Sequence, residues 1–365
     1  MNRLIIIGNG FDLAHGLKTS FKDFIADYFA NAINTFYSKN EYSDLLLDVK
    51  FKFNGRINPL DIGVVTEEDA FKVLKVLGGD KGVYVKIKSV LLNLVFNRIE
   101  TLGWVDIEME YFKLLLVVKT SKRKGLDELH QEFEFIKNLL SEYLRIQEND
   151  FDRTICSENI VECFLEDVND KEIVSNDFIK NGRPEHIYFL NFNYTSIGHE
   201  YFDRLTVNHK SFNFIHGSLD KRYGDPIFGF GDEFDQNYKE FEDLNDNEYL
   251  KHIKSFEYSK KQNYFSLIRY IDELPFQVYL FGHSCGLSDR TMLNTLFEHE
   301  NCKSIKVFYH GEKGDEYDFI DKINNISRHF MDKTLLRKRI VPHDMCRPMP
   351  QPIKEHQVKI NGSLS

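Results

Sequence analysis

Leu4-Ile5-Ile6-Ile7, Gly8-Asn9-Gly10-Phe11-Asp12 and Leu13-Ala14-His15-Gly16-Leu17-Lys18-Thr19 open the chain and decide how it is read. A short β-branched run that stops at Gly-Asn-Gly describes a strand buried on both faces, feeding a turn that only small residues permit. At the carboxyl end of the first strand of a doubly wound sheet, such a turn and the helix after it make a site for a phosphate or a ribose. Gly8, Asn9, Gly10, Phe11, Asp12 and His15 are therefore candidate nucleotide contacts. The dinucleotide fingerprint Gly-x-Gly-x-x-Gly is incomplete, because Leu13 stands where the third glycine belongs, and an ordinary dehydrogenase is disfavoured. A tight strand-to-helix turn without a ligand is the alternative reading.

Further strands are expected late in the chain, at Ile187-Tyr188-Phe189-Leu190, Phe212-Asn213-Phe214-Ile215, Gln277-Val278-Tyr279-Leu280-Phe281 and Ser304-Ile305-Lys306-Val307-Phe308-Tyr309. Each runs into polar or glycine-containing sequence. Asn193 and Thr195 follow the first, His216 and Gly217 the second, Gly282, His283, Ser284 and Asp289 the third, and His310 the fourth. Carboxyl ends of strands in an open parallel sheet converge on one crevice, so these residues and the opening loop are expected to line a single cavity. Gly217 lets a ligand approach closely, and Asn193 lies one crossover upstream of His216. Phe228-Gly229-Phe230-Gly231-Asp232 reads as a turn, or as a lid hinged on two glycines.

Between the first strand and the rest, apolar residues recur at helical spacing. Phe21, Phe24, Ile25, Tyr28, Phe29 and Ile33 mark a helix that Thr19 or Ser20 would cap, with Asp23 completing a capping box. Helices are expected over 67–77, 83–101, 125–147 and 157–167. The predicted organisation is a discontinuous α/β core, 1–38 with 183–335, a doubly wound and mainly parallel sheet interrupted by a large helical insertion, 39–182. The proline-bearing tail, 336–365, reads as extended or mobile. In the insertion, Trp104 is the only tryptophan, and Asp106 and Glu108 beside it either cap the crevice or cap a helix.

The 365 residues can bury a large core, and 42% hydrophobic with 28% charged residues describes a globular chain. A net charge of −10 disfavours binding nucleic acid through a broad basic face. Cys156, Cys163, Cys285, Cys302 and Cys346 form no C-x-x-C pair, so no metal is expected. Without a leader-like start or an apolar run near ~20 residues, a cytoplasmic protein with no membrane partner is expected.

The motifs Gly8 to Thr19, Asn193-Tyr194-Thr195, His216-Gly217 and Gly282-His283-Ser284 resemble those of the AbiH family of bacterial abortive-infection proteins, from Leu4 to about Phe330. A more distant similarity links them to sirtuin-like NAD-binding domains of Rossmann type. That resemblance implies a catalytic role for His216 and Asn193, and contact of Ser284 with ribose or phosphate. Thr195 stands where the sirtuin pattern has Asp, so Asp12 or Asn9 would have to supply the missing polar contact. The implied function is anti-phage defence through binding and hydrolysis of NAD, or a related nucleotide, at the N-glycosidic bond. A nucleotide sensor without turnover and a nuclease are the alternatives. A phage-derived trigger and a homo-oligomer are the other expected partners.

Overall fold

The opening run folds as read. In the computed structural model, which describes residues 1–52, 64–80, 82–102, 106–121, 125–174, 182–311 and 316–352, nine strands are present among the described residues. They are β1 (Asn2–Ile7), β2 (Glu41–Ser43), β3 (Leu47–Phe51), β4 (Val83–Ile87), β5 (Ile187–Asn191), β6 (Lys210–Phe214), β7 (Phe276–Phe281), β8 (Cys302–Tyr309) and β9 (Arg347–Pro348). Contacts divide the chain into two units, Met1–Leu17 with Leu144–Ser365, and Lys18–Tyr143.

The first unit is a parallel α/β sheet in the order β6-β5-β1-β7-β8-β9, the doubly wound Rossmann arrangement. β1 lies at its centre, with Ile5 opposite Phe189 on one side and Tyr279 on the other. Because successive side chains alternate, Leu4 and Ile6 join one apolar layer and Ile5 and Ile7 the other. That is why the strand reads as an unbroken apolar run. Phe151, Ile160, Val161 and Phe164 pack into the Ile5 layer. Residues 144–174 thus belong with the sheet, and the unit boundaries differ from the expected 38/39 and 182/183.

The same layer holds an ionic network. The buried Arg3 guanidinium donates to the carbonyls of Phe164 (3.0 Å) and Glu166 (2.5 Å) and to Gln277 Oε1 (3.2 Å), and it lies 4.1 Å from the Tyr279 ring centre. Gln277 Nε2 donates to Glu172 Oε2 (2.8 Å), and Lys306 Nζ donates to Glu172 Oε1 (2.7 Å). Each charged side chain thus has hydrogen-bond partners, although Arg3 Nε is buried without one.

The tail expected to be extended or mobile joins this sheet through β9. Helix Lys333–Arg339 is followed by β9, which pairs with Phe308 and Tyr309, and Met349 N donates to Tyr309 O. Only 353–365 lie outside the described residues.

The second unit opens with helix Phe21–Lys39. Ser20 is its cap, with Ser20 Oγ accepting from Asp23 N and Asp23 Oδ2 accepting from Ser20 N. Its described residues are mostly helical, and they include a small antiparallel sheet, β2-β3-β4, where a mainly helical insertion was expected and no strand was placed. The helix predicted over 83–101 begins only at Val90. Val83-Tyr84-Val85-Lys86-Ile87 has the β-branched, alternating character of a strand and finds its partner in Leu47–Phe51. Asp106 caps helix Ile107–Thr120 through Met109 N, and Glu108 lies in its first turn; Trp104 lies outside the described residues. Among the described residues, no helix is long and apolar enough to cross a membrane.

Candidate functional site

Four of the six sheet strands, β6, β5, β1 and β7, are adjacent, so their carboxyl ends bring together segments far apart in sequence. The crevice between β1 and β7 is the position where strand order reverses and where such sheets bind ligands. Here two loops close it by direct backbone contact. Gly8 N donates to Phe281 O (3.0 Å) and Gly10 N to Gly282 O (2.8 Å). A Cβ on Gly8 would come within 2.5 Å of His283 Cα, and one on Gly282, whose φ is +67°, within 2.1 Å of Phe11 N. The glycines of the opening motif thus let two loops interlock, which corrects their reading as an open phosphate cradle.

Beside this interlock lies the carboxyl group of Asp12, which pairs with no cation among the described residues. Asp12 accepts from Thr195 Oγ1 (2.5 Å) and Asn193 Nδ2 (2.8 Å), and Asn193 Nδ2 also donates to Gly8 O (3.1 Å). Asn191 shapes the turn, its Nδ2 donating to the carbonyls of Asn193 and Thr195. Asp12, one of the two residues expected with Asn9 to supply the polar contact that Thr195 lacks, is thus bonded to Thr195 itself. Burial pushes its carboxyl up to about 7, against the hydrogen bonds from Thr195 and Asn193. The folded chain therefore holds more protons than the unfolded chain between about pH 4 and 7, and its stability falls as pH rises through that window. Urea unfolding of wild type and Asp12→Asn should show a gap that shifts against wild type by roughly 3 kcal/mol between pH 4 and 8. Parallel curves would mean that Asp12 ionises as easily folded as unfolded.

The second group forms around Asp289. Its Oδ1 accepts from Lys254 Nζ at 2.7 Å and lies 3.4 Å from His216 Nε2, while Oδ2 lies 3.8 Å from His283 Nε2. Tyr258 OH is 3.1 Å from His216 Nε2. Phe192 separates the two imidazoles, with ring centres 5.0 Å from His216 and 4.3 Å from His283. Cys285 N donates to His283 Nδ1, so the proton of that neutral ring sits on Nε2, toward Asp289. Burial, reinforced by Lys254, pushes His216 down to about 3, and burial pushes His283 to about 4. Burial opposes ionisation of Asp289 too, yet Lys254, with His216 and His283, holds it well below the usual carboxylate range. The result is one anion and one cation flanked by two neutral imidazoles. Asp289, with 12% of its side chain exposed against 2% for Lys254, is the member of that ion pair that reaches outward.

Sequence reasoning singled out His216, His283 and Asp289 but missed Lys254 and Tyr258. Lys254 arrives because Phe230 bridges Ile253, with Phe230 N donating to His252 O and Lys254 N to Phe230 O. Gly229 and Gly231 lie against His252 O and Ser288 O, so the 228–232 segment is a pinned loop and not a hinged lid. No local pattern around Lys254 announces this.

Other candidates lie elsewhere. His15 Nδ1 donates to Phe11 O (2.7 Å), which leaves Nε2 to accept from Tyr201 OH (2.5 Å). Both nitrogens are used, and burial pushes its pKa to about 4. His15 and Phe11 therefore belong to an aromatic core with Tyr201 and Phe281, a correction to their reading as ligand contacts. Gly217, at φ +74°, makes a tight turn against Asp225 O. Ser284 and Asn9 are exposed, and Ser284 O accepts from Asn325 Nδ2. His310 is exposed at the end of β8, its N–H bound to Asp318. Neither Ser284 nor His310 hydrogen-bonds with the Asp289 group.

The family model described as Bacteriophage abortive infection AbiH matches residues 4–310, which include both polar groups. No curated protein and no solved structure matches the chain.

Proposed function

Because the chain belongs to the bacteriophage abortive infection AbiH family, we propose that it acts in that defence by hydrolysing the N-glycosidic bond of NAD or a related nucleotide, with Asp289 and His216 at the reacting centre. The observation that carries this reading is the ionised Asp289 between two neutral imidazoles. Breaking the bond between the ribose anomeric carbon and the base nitrogen sends the electron pair to the base and leaves positive charge on the ribose. A fixed carboxylate facing that charge stabilises the transition state. Water adds to the anomeric carbon and gives its proton to neutral His216, and Asp289 pairs with the imidazolium so formed. Lys254 is a positioning residue that keeps Asp289 ionised. Asn193, its amide hydrogens shared between Gly8 O and Asp12, positions the β5 turn. Rossmann strand order supports a nucleotide ligand at this end of the sheet. The Gly8-Asn9-Gly10 turn is not assigned the phosphates, since Gly10 N and Phe11 N already bond within the protein.

The test is release of free nicotinamide, or another base, when the purified protein is incubated with NAD and related nucleotides. His216→Ala should lower release by about a hundred- to ten-thousand-fold. No release from any nucleotide by the active defence protein overturns the reading. Nucleotide sensing without turnover is the second reading, and Thr195, standing where a carboxylate would hold the ribose, favours it. It predicts saturable binding with no base released.

A further inference from the structure

Among the described residues the small sheet of the second unit ends at β4. Lys52 N donates to Gly82 O (2.9 Å) and Lys88 N to Leu46 O (2.8 Å), which fixes the even-numbered residues of β4 as those bonded to β3. The main-chain N–H and C=O of Val85 and Ile87 therefore point away from β3, and no described residue lies beyond β4 as a further strand. A groove of about 510 Å³ runs along this edge, between helix Glu67–Gly79 and helix Val90–Leu102. Leu74 and Phe96 contribute apolar surface, and Val85 and Ile87 are only half-buried. Lys86 and Lys88 also line it, and its described lining residues include no carboxylate; Lys88 pairs at 2.9 Å with Asp48 on β3. A Cβ on Gly78 would meet nothing within 4 Å, so the groove is open at that point of the helix.

We propose that β4 is a docking edge on which an extended, carboxylate-bearing segment of a partner protein adds as a fourth strand. Main-chain pairing with Val85 and Ile87 would supply affinity, and alternate side chains would supply specificity. One set would lie on the Leu74 and Phe96 surface and the other would meet the lysines. A second copy of this chain fits poorly, because antiparallel pairing of β4 with itself sets the same lysines against each other.

A surface-displayed library of random octapeptides, selected on the full chain, tests the proposal. It should enrich peptides that alternate apolar and acidic residues, and the best of them, made synthetically, should slow amide exchange at Val85 and Ile87. Gly78→Glu places bulk and negative charge in the groove and should weaken that peptide at least tenfold. Gly78→Ala should keep binding, since alanine is the better helix residue and intrudes little. Both variants should unfold at or near the wild-type temperature. No enrichment, enrichment of basic or charge-indifferent peptides, or binding that survives Gly78→Glu would each overturn the proposal. So would a dimer in light scattering that protects Val85 and Ile87 without peptide.

Discussion

Asp289→Asn is expected to lower base release by a hundred- to ten-thousand-fold and to lower the melting temperature of the same protein. The first effect follows from removing the one fixed negative charge near His216. The second follows from Lys254, which keeps an ammonium with 2% of its side chain exposed and loses the negative charge of its 2.7 Å partner. Stranding one member of a buried pair typically costs about 3–5 kcal/mol. In a unit of this size each kcal/mol moves the midpoint by roughly 2–4 °C. Activity and stability would thus fall together, and a second variant separates them. Replacing both members, Asp289→Leu with Lys254→Met, removes the stranded charge and should recover most of the lost stability, while base release stays absent. A double variant that is stable and still releases base would take Asp289 out of the chemistry. A single variant that melts like wild type would show that Lys254 is not dependent on Asp289.

What the amino-acid sequence disclosed depended on whether a residue's role is set by its neighbours in the chain. β1, β5, β7 and β8 were legible because a strand buried on both faces carries consecutive apolar residues, as in Ile5-Ile6-Ile7, Val278-Tyr279-Leu280 and Val307-Phe308. Ser20 and Asp23 were legible because a capping box is a local pattern. β9 was not, since Arg347-Pro348 has no strand character of its own and is a strand only because Phe308 and Tyr309 present an open edge. The strand Val83–Ile87 was absorbed into the helix after it, where Val90, Leu91, Leu92 and Val95 continue the apolar pattern.

The site shows the same division. Gly8 and Gly10 announced a tight approach, but not what approaches; it is the backbone of Gly282 and His283. His15 looked like a ligand contact because polar residues crowd the opening motif, whereas Tyr201, far along the chain, is what takes up its second nitrogen. His216 and Asp289 were visible as polar residues at strand ends. Lys254 was not, because only the Phe230–Ile253 bridge carries it to Asp289.

Glu172→Gln is expected to be the most destabilising conservative change in the sheet unit outside the candidate site. Glu172 stands between two donors, Gln277 Nε2 and Lys306 Nζ, and its two oxygens accept one bond from each. A glutamine has one oxygen, so its amide nitrogen must face one donor or the other and a bond is lost either way. The larger consequence is charge. Lys306 is nearly buried, and without Glu172 its nearest carboxylate is Glu166 at 3.6 Å, which also pairs with Arg347. Arg3 is held through the same chain of contacts, because Gln277 offers Oε1 to Arg3 while it donates to Glu172. Loss of the carboxylate therefore weakens a network that spans β1, β7 and β8, at about 3–5 kcal/mol by urea unfolding. Lys306→Met should be costly alone, because it leaves Glu172 as the stranded charge, and the pair together should cost less than the sum of the two. That non-additivity is the measurement that matters, since residues in one ionic network couple by about 0.5–3 kcal/mol and independent sites do not. A Glu172→Gln protein within half a kcal/mol of wild type, or strict additivity with Lys306→Met, would show that solvent reaches the network and that burial does not make its charges interdependent.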